Sequence, residues 1–218
     1  MKKIVCAVVM ASVIAWGVFA DTGIIREFTG DVQLKLAGAT AFVPAQAGNE
    51  VEQNTIVSTG FKSTAIIAVG NSTIVVQPLT RLSLKEIQTS SGTENVNMNL
   101  QSGRVKVDVK PPAGSKANFT VQSPTATASV RGTSFEFDTR YLKVFEGTVS
   151  FTGGNGISMP VSAGGESFVD KDGNAADPVD LVADSMAPPP PDGTDSGSAG
   201  SSSPNTGDFS IELQYPKK

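Results

Sequence analysis

The sequence predicts an all-β protein: many short strands in a single sandwich- or solenoid-like domain, followed by a disordered Pro/Ser/Gly-rich tail. Three observations carry that reading. Apolar and polar residues alternate with a period of two along much of the chain, which marks half-buried strands. Helical periodicity is almost absent. Gly, Asn, Ser or Pro fills most of the gaps, and many short strands at regular spacing belong to sandwiches, barrels or solenoids.

The strands read off in order. Val32/Leu34/Leu36, Ile66 to Val69, Ile74 to Val76, Leu82/Leu84 and Val96/Met98/Leu100 come first. Val105/Val107/Val109, Phe119/Val121, Phe135/Phe137, Leu142/Val144 and Val149/Phe151 follow. Val105, Val107, Val149, Phe135 and Phe137 should face the core, with Lys106, Ser150 and Glu136 outward. One short pattern recurs as Gly30-Asp31-Val32, Gly103-Arg104-Val105 and Gly147-Thr148-Val149. Glycine ahead of a strand allows positive φ, so each fits a tight turn or bulge. The recurrence has no fixed period and does not establish a repeat array.

The N-terminus reads as an export signal. Lys2 and Lys3 precede an apolar run from Ile4 to Phe19, and Val18-Phe19-Ala20 places small residues before a cut at Asp21. That is the layout of a cleaved secretory signal over residues 1–20. The run is short for a bilayer span, which needs about 20 apolar residues. No membrane span is then expected after cleavage, and the location is periplasmic or secreted. Cys6, the one cysteine, would leave with the signal.

Composition narrows the chemistry. The chain has no His, which removes the commonest general base and metal ligand. Loss of Lys2 and Lys3 leaves 15 basic against 21 acidic residues, a formal charge of −6. An acidic surface argues against nucleic acid as a partner. Charged residues make up 17% of the chain, below the roughly 25% of average proteins. Thr, Ser, Asn and Gln therefore cover much of the surface.

The domain is expected over residues 21–183. From Ala187 the composition shifts to Pro188–Pro191 and then to Gly, Ser, Asp and Thr. Such a segment cannot bury enough apolar area to offset its ordering entropy, so 184–207 reads as a disordered linker. Residues 208–218 hold one more strand pattern, in which Phe209, Ile211, Leu213 and Tyr215 share a face. An isolated strand is unstable in water and needs a sheet edge, its own or a partner's.

Two stretches carry a resemblance. The run from Thr59-Gly60-Phe61 to Val76, with its strand patterns Ile66 to Val69 and Ile74 to Val76, then Leu79-Thr80-Arg81-Leu82, resembles the first half of a FecR domain. Ser123-Pro124-Thr125-Ala126 with Val130-Arg131-Gly132-Thr133-Ser134-Phe135 is similar to that family's "TP-x-A … VRGT-x-F" signature. Leu142–Val149 resembles its closing "V-x-V-x-x-G-x-V". The resemblance implies an extracytoplasmic β-domain whose relatives act through protein contacts or sit beside wall-binding repeats. The family's best-known members are membrane-bound sigma-factor regulators with a cytoplasmic segment. This sequence opens on an export signal instead, so anti-sigma activity is not expected.

Candidate chemistry is sparse. Asp170-Lys171-Asp172-Gly173-Asn174 has the flavour of a calcium loop, but Gly stands fourth and Leu181 twelfth. The EF-hand needs Gly sixth and an acid twelfth, so this is a turn. Glu136 and Asp138 lie two apart on one strand face; a glycosidase could use such a pair, but a solvated charged face is the default. Arg131 reads mainly as scaffold, paired with Glu136, Glu146 or a carbonyl, with ligand contact as the alternative. Gly132 should sit at positive φ or in a bulge. No cofactor or metal site is expected. Two function classes follow: an envelope protein-interaction or scaffold module, with Arg131, Phe209, Ile211, Leu213 and Tyr215 as candidate contacts, or a binder of cell-wall glycan.

Cleavage after Ala20 is directly measurable. The intact mass of the exported protein should correspond to a chain starting at Asp21, and a mass that retains Met1–Ala20 overturns the signal assignment.

Overall fold

The computed structural model describes residues 22–90, 92–111 and 113–177. Among them there is no helix. In chain order the strands are β1 Gly23–Thr29, β2 Val32–Lys35, β3 Val43–Pro44, β4 Glu50–Val51, β5 Ile56–Thr59 and β6 Thr64–Val69. Next come β7 Ser72–Val76, β8 Arg81–Ser90, β9 Thr93–Ser102, β10 Arg104–Asp108, β11 Lys116–Gln122 and β12 Ala126–Val130. The last six are β13 Ser134–Asp138, β14 Tyr141–Glu146, β15 Thr148–Gly153, β16 Ser158–Ser162, β17 Glu166–Val169 and β18 Ala175–Ala176.

These strands form two nine-stranded sheets. Sheet 1 runs β18-β17-β14-β13-β10-β7-β6-β1-β4, and sheet 2 runs β16-β15-β12-β11-β9-β8-β5-β2-β3. Both orders follow the sequence almost monotonically. The chain therefore winds along a pair of facing sheets, adding a strand or a hairpin to one and then to the other. Sandwich and solenoid are both apt descriptions. The winding is clearest at β9–β10–β11. Strand β10 crosses to sheet 1 alone, so β9 and β11 return to sheet 2 side by side and parallel, with Phe119 opposite Val96. Every other pairing in the two sheets is antiparallel.

The period-two pattern sets the core. In β9, Val96, Met98 and Leu100 point inward between Asn95, Asn97 and Asn99. Val105, Val107, Phe135, Phe137 and Val149 are fully buried, as their alternation predicts. Phe137 of sheet 1 meets Phe151 of sheet 2 edge-on, with ring centroids 6.0 Å apart and planes at 78°. That is a favoured aromatic geometry, and it ties the two sheets across one apolar layer. Leu36 departs from the pattern. Strand β2 ends at Lys35, the chain turns through Gly38, and Leu36 stands exposed. Strand β12 was not legible as an apolar pattern, because its inward residues are Ala126, Ala128 and Val130, two of them small.

The recurring glycines mark the places where the chain changes sheet. Gly30, Gly103 and Gly147 have φ of 76°, 85° and 79°, the left-handed region that other residues disfavour. Each joins a strand of one sheet to a strand of the other. The VRGT stretch forms a related corner between β12 and β13. Gly132 has φ 71°, and a Cβ there would meet only Pro111, at 3.6 Å. Gly147 is confined as well as strained: a Cβ would stand 2.5 Å from Cγ2 of the buried Thr133. Thr133 fills this corner with its methyl, while its carbonyl accepts from the Val109 N–H at 2.9 Å.

The outer faces of the sheets differ in chemistry. On sheet 1, Lys106, Glu136, Lys143 and Glu166 stand opposite one another on β10, β13, β14 and β17, a row of alternating charge that favours this register. On sheet 2, Asn97, Thr120, Ser129 and Ser150 form a row ending at Pro160. A second row runs Asn99, Gln122, Thr127, Thr152 and Ser158. The sheet edges are blunted. Sheet 2 ends on strands that carry Pro44 and Pro160, and sheet 1 ends on two-residue strands. Proline withholds a ladder donor and short edges offer little to pair with, so each edge resists strand addition.

The two corner glycines should separate strain from crowding. Gly132→Ala should cost about 1–2 kcal/mol for left-handed backbone alone. Gly147→Ala should cost about 1–3 kcal/mol beyond that, because the added methyl overpacks Thr133. Urea unfolding of both variants checks the order, and equal losses would show that Thr133 does not confine Gly147.

Candidate functional site

One end of the sandwich gathers four sheet-changing turns, those after β1, β5, β7 and β9, and locks them together. The Asp31 N–H donates to Ser63 Oγ at 2.8 Å, and Ser63 Oγ donates to the Phe61 carbonyl at 3.1 Å. The Gly60 N–H donates to the Asp31 carbonyl at 2.8 Å, and the Leu79 N–H to the Gly60 carbonyl at 3.1 Å. Thr59 Oγ1 donates to the Gln77 carbonyl at 2.6 Å and accepts from the Thr80 N–H at 3.0 Å. Thr80 Oγ1 in turn accepts from the Arg104 N–H at 2.9 Å. Thr59, Ser63 and Thr80 are all buried, so their hydroxyls serve the backbone rather than solvent.

This platform holds two bulky apolar side chains outward. Phe61 is 74% exposed and Leu79 is 61% exposed. Leu79 and Lys62 have φ of 57° and 53°, left-handed geometry that is rare for residues with bulky side chains. Such strain persists only where surrounding bonds over-determine it, and it clusters at functional sites. Lys62 Nζ lies 5.6 Å from the centroid of the Phe61 ring, within cation–π range. A shallow depression beside the pair is lined by Gln77, Pro78, Gly103, Arg104, Asp138 and Thr139. Its floor is an ionic cluster: Arg104 reaches Glu136 at 3.0 Å and Asp138 at 3.4 Å, and Gln77 Nε2 donates to Glu136 at 3.1 Å. Exposed apolar anchors beside a satisfied polar rim match the anatomy of a protein-contact patch.

The other sequence candidates fall elsewhere. Arg131 is exposed at the opposite end of the strands, on the rim of the outer face of sheet 2, near Ser129, Thr148, Ser150 and Pro160. It makes none of the expected pairings with Glu136, Glu146 or a carbonyl. Glu136 points out from sheet 1 and is held by Arg104 and Gln77. Glu136 and Asp138 share one guanidinium, that of Arg104. Asp170 closes its own turn, accepting from the Asp172 and Asn174 N–H groups at 2.8 Å each and from Asn174 Nδ2 at 3.0 Å. Those bonds hold its pKa below the usual carboxylate value, with Asn174 the leading cause. Phe209, Ile211, Leu213 and Tyr215 lie outside the described residues. Phe61 and Leu79 were missed by the search for chemistry. Their signal was two large apolar residues in turns next to Gly60 and Pro78, where turn chemistry favours polar residues.

On the sheet 1 face, Lys143 Nζ donates to Glu166 at 2.6 Å. That bond raises the Lys143 pKa and, with a second bond from Tyr141, lowers that of Glu166. Burial and the bond to Glu166 push Tyr141 up to about 12.

Comparison with known proteins now bears on this geometry. The family model described as FecR protein matches residues 54–150. The chain carries a FecR domain. The match begins just before β5 and ends within β15, so it includes Phe61, Leu79 and the VRGT corner. Strands β1–β4 and β16–β18 extend the same two sheets beyond the matched stretch. Two crystal structures of a candidate anti-sigma factor from Parabacteroides distasonis ATCC 8503 are similar, each with a TM-score of 0.46 and 16% identity. The similarity covers 56% of this chain and 57% of each of those chains. No curated protein matches.

Tyr141 offers a check on the sheet 1 face. Its raised pKa means the fold favours the neutral phenol, so stability should hold below about pH 10 and fall as pH rises towards 12. In a Tyr215→Phe background the phenolate absorbance should appear with a midpoint near 12. A midpoint near the ordinary value of about 10 would show that neither burial nor Glu166 constrains the ring.

Proposed function

We propose that this is an exported FecR-domain protein that works without catalysis, as a protein-interaction or scaffold module of the cell envelope, and that it engages its partner through the Phe61–Leu79 tip. The observation that carries this reading is a costly arrangement kept in place. Two large apolar side chains face solvent from turns locked by buried hydroxyls, one of them on a left-handed residue. A solvated turn has no need of either feature. Export rests on the Lys2-Lys3, apolar-run and Val-Phe-Ala pattern of the N-terminus. The partner is a protein that presents an apolar cleft able to take a phenyl ring and a leucyl group, rimmed by groups that can meet Lys62, Arg104 and Asp138.

Two variants test the proposal. A photo-crosslinking residue at position 61 should capture one envelope protein, and the same residue at position 131 should not. With the photo-crosslinking residue kept at position 61, loss of a contact anchor worth about 2 kcal/mol or more should weaken that capture at least tenfold in Leu79→Ser. Leu79→Gly should leave the melting temperature equal or higher, because relief of about 1–2 kcal/mol of strain offsets about 0.5–1 kcal/mol of added unfolded-chain entropy. Undiminished capture by the Leu79→Ser variant overturns the tip as the contact. A clear fall in melting temperature for Leu79→Gly overturns the strain argument.

A further inference from the structure

From β9 to β16 the outer face of sheet 2 carries rows of neutral hydrogen-bonding groups with no assigned role. We infer that this face binds an uncharged polysaccharide strand, laid across the rows that contain Asn97, Thr120, Ser129 and Ser150 and their neighbours. The inference is independent of the Phe61–Leu79 tip.

The rows are unusual for their uniformity. From β9 to β16 they cross five strands, so four intervals of about 4.8 Å give a width of about 19 Å. Along each strand the outward side chains recur about every 6.8 Å. The result is a flat two-dimensional grid of amides and hydroxyls. Charge is confined to its border: Glu86 is engaged by Asn97 Nδ2 at 2.6 Å, while Lys116 and Arg131 stand at the ends of their strands. This contrasts with sheet 1, whose outer face carries the ladder of Lys106, Glu136, Lys143 and Glu166.

Several side chains of the grid are already oriented. Asn118 Nδ2 donates to Asn95 Oδ1 at 2.9 Å, and Thr152 and Ser158 share a hydroxyl bond of 2.6 Å. Others, including Thr127 and Ser150, make no side-chain hydrogen bond within the described residues and present donor and acceptor to solvent. Amides and hydroxyls both donate and accept, which matches the dual character of sugar hydroxyls.

Charge complementarity selects the ligand class. Nucleic acid and anionic headgroups need rows of Lys or Arg, and the grid has none. A protein partner would need an apolar or aromatic anchor at the centre, and none of the exposed large apolar side chains stands in these rows. A neutral polyhydroxyl chain can exchange water for the grid without desolvating a charge. It would bind weakly at each contact and gain by spanning several rows.

The test is a titration of the full, isotope-labelled chain with two neutral probes, the β-1,4-linked N-acetylglucosamine hexamer and cellohexaose, with polygalacturonate as the charged control. Millimolar hexamer should shift backbone and Asn side-chain resonances of β9, β11, β12 and β15. Ser129→Arg in the grid centre, or Ser150→Arg at an exposed position should the first fail to fold, should weaken binding at least tenfold with the fold retained. Phe61→Ser/Leu79→Ser should bind as the parent does, which separates this inference from the protein-contact proposal. Absence of shifts with both hexamers overturns it. So do shifts that map to the tip or to sheet 1, tighter binding of polygalacturonate, or a folded arginine variant that binds undiminished.

Discussion

Each strand of this sandwich has one face to bury, and the only place to bury it is the apolar layer shared by the two sheets. The chain must therefore leave one sheet and enter the other again and again while keeping its inward residues in phase. Phe119, Phe135, Phe137 and Phe151 fill the layer from both sides. Their contact is made possible by corners that reverse the chain within two or three residues. Left-handed glycines such as Gly103 and Gly147 provide the reversal, and buried hydroxyls or methyls from the next corner fill the space left by the missing Cβ. Packing, backbone strain and turn hydrogen bonding are thus one coupled arrangement.

That arrangement frees the outer faces to diverge. Because the core layer supplies the cohesion, neither outer surface has to be apolar, and each carries a distinct chemistry. Sheet 1 uses opposite charges across strands, which favour one register over a slipped one. From β9 to β16, sheet 2 uses amides and hydroxyls in its central rows, which tolerate neighbours of any kind and leave that part of the face uncharged. The blunted edges serve the same end. A long open sheet with Pro44 and Pro160 on one pair of edges and two-residue strands on the other is protected against joining a second copy edge to edge.

The tip shows where the fold departs from its own economy. Most corners here use glycine at positive φ, yet Lys62 and Leu79 occupy the same region with full side chains. The hydrogen bonds of Thr59, Ser63 and Thr80 hold these turns in place. Under the proposed contact role, rigid presentation of Phe61 and Leu79 lowers the ordering cost of binding.

The sequence alone determined the fold class, the inward residues of most strands and the left-handed glycines. Period-two alternation and glycine placement are local properties, set by pleat geometry and by sterics at one residue. Val107 and Phe135 could be placed in the core, and Gly132 at positive φ, without knowing what they touch. Lys106, Ser150 and Glu136 could be placed on outward faces in the same way. Tertiary structure decided which sheet each strand joins, and hence that Asn97 stands beside Thr120 and Lys106 beside Glu136. It decided that Arg131 has no ion pair among the described residues, because it follows a strand of sheet 2 while Glu136 faces out from sheet 1. It also decided that Phe61 and Leu79 meet solvent together, since the Gly60 and Leu79 turns adjoin once the β6–β7 hairpin has folded between them and the Leu79 N–H reaches the Gly60 carbonyl. Such adjacency depends on pairing between distant segments, and no local pattern encodes it.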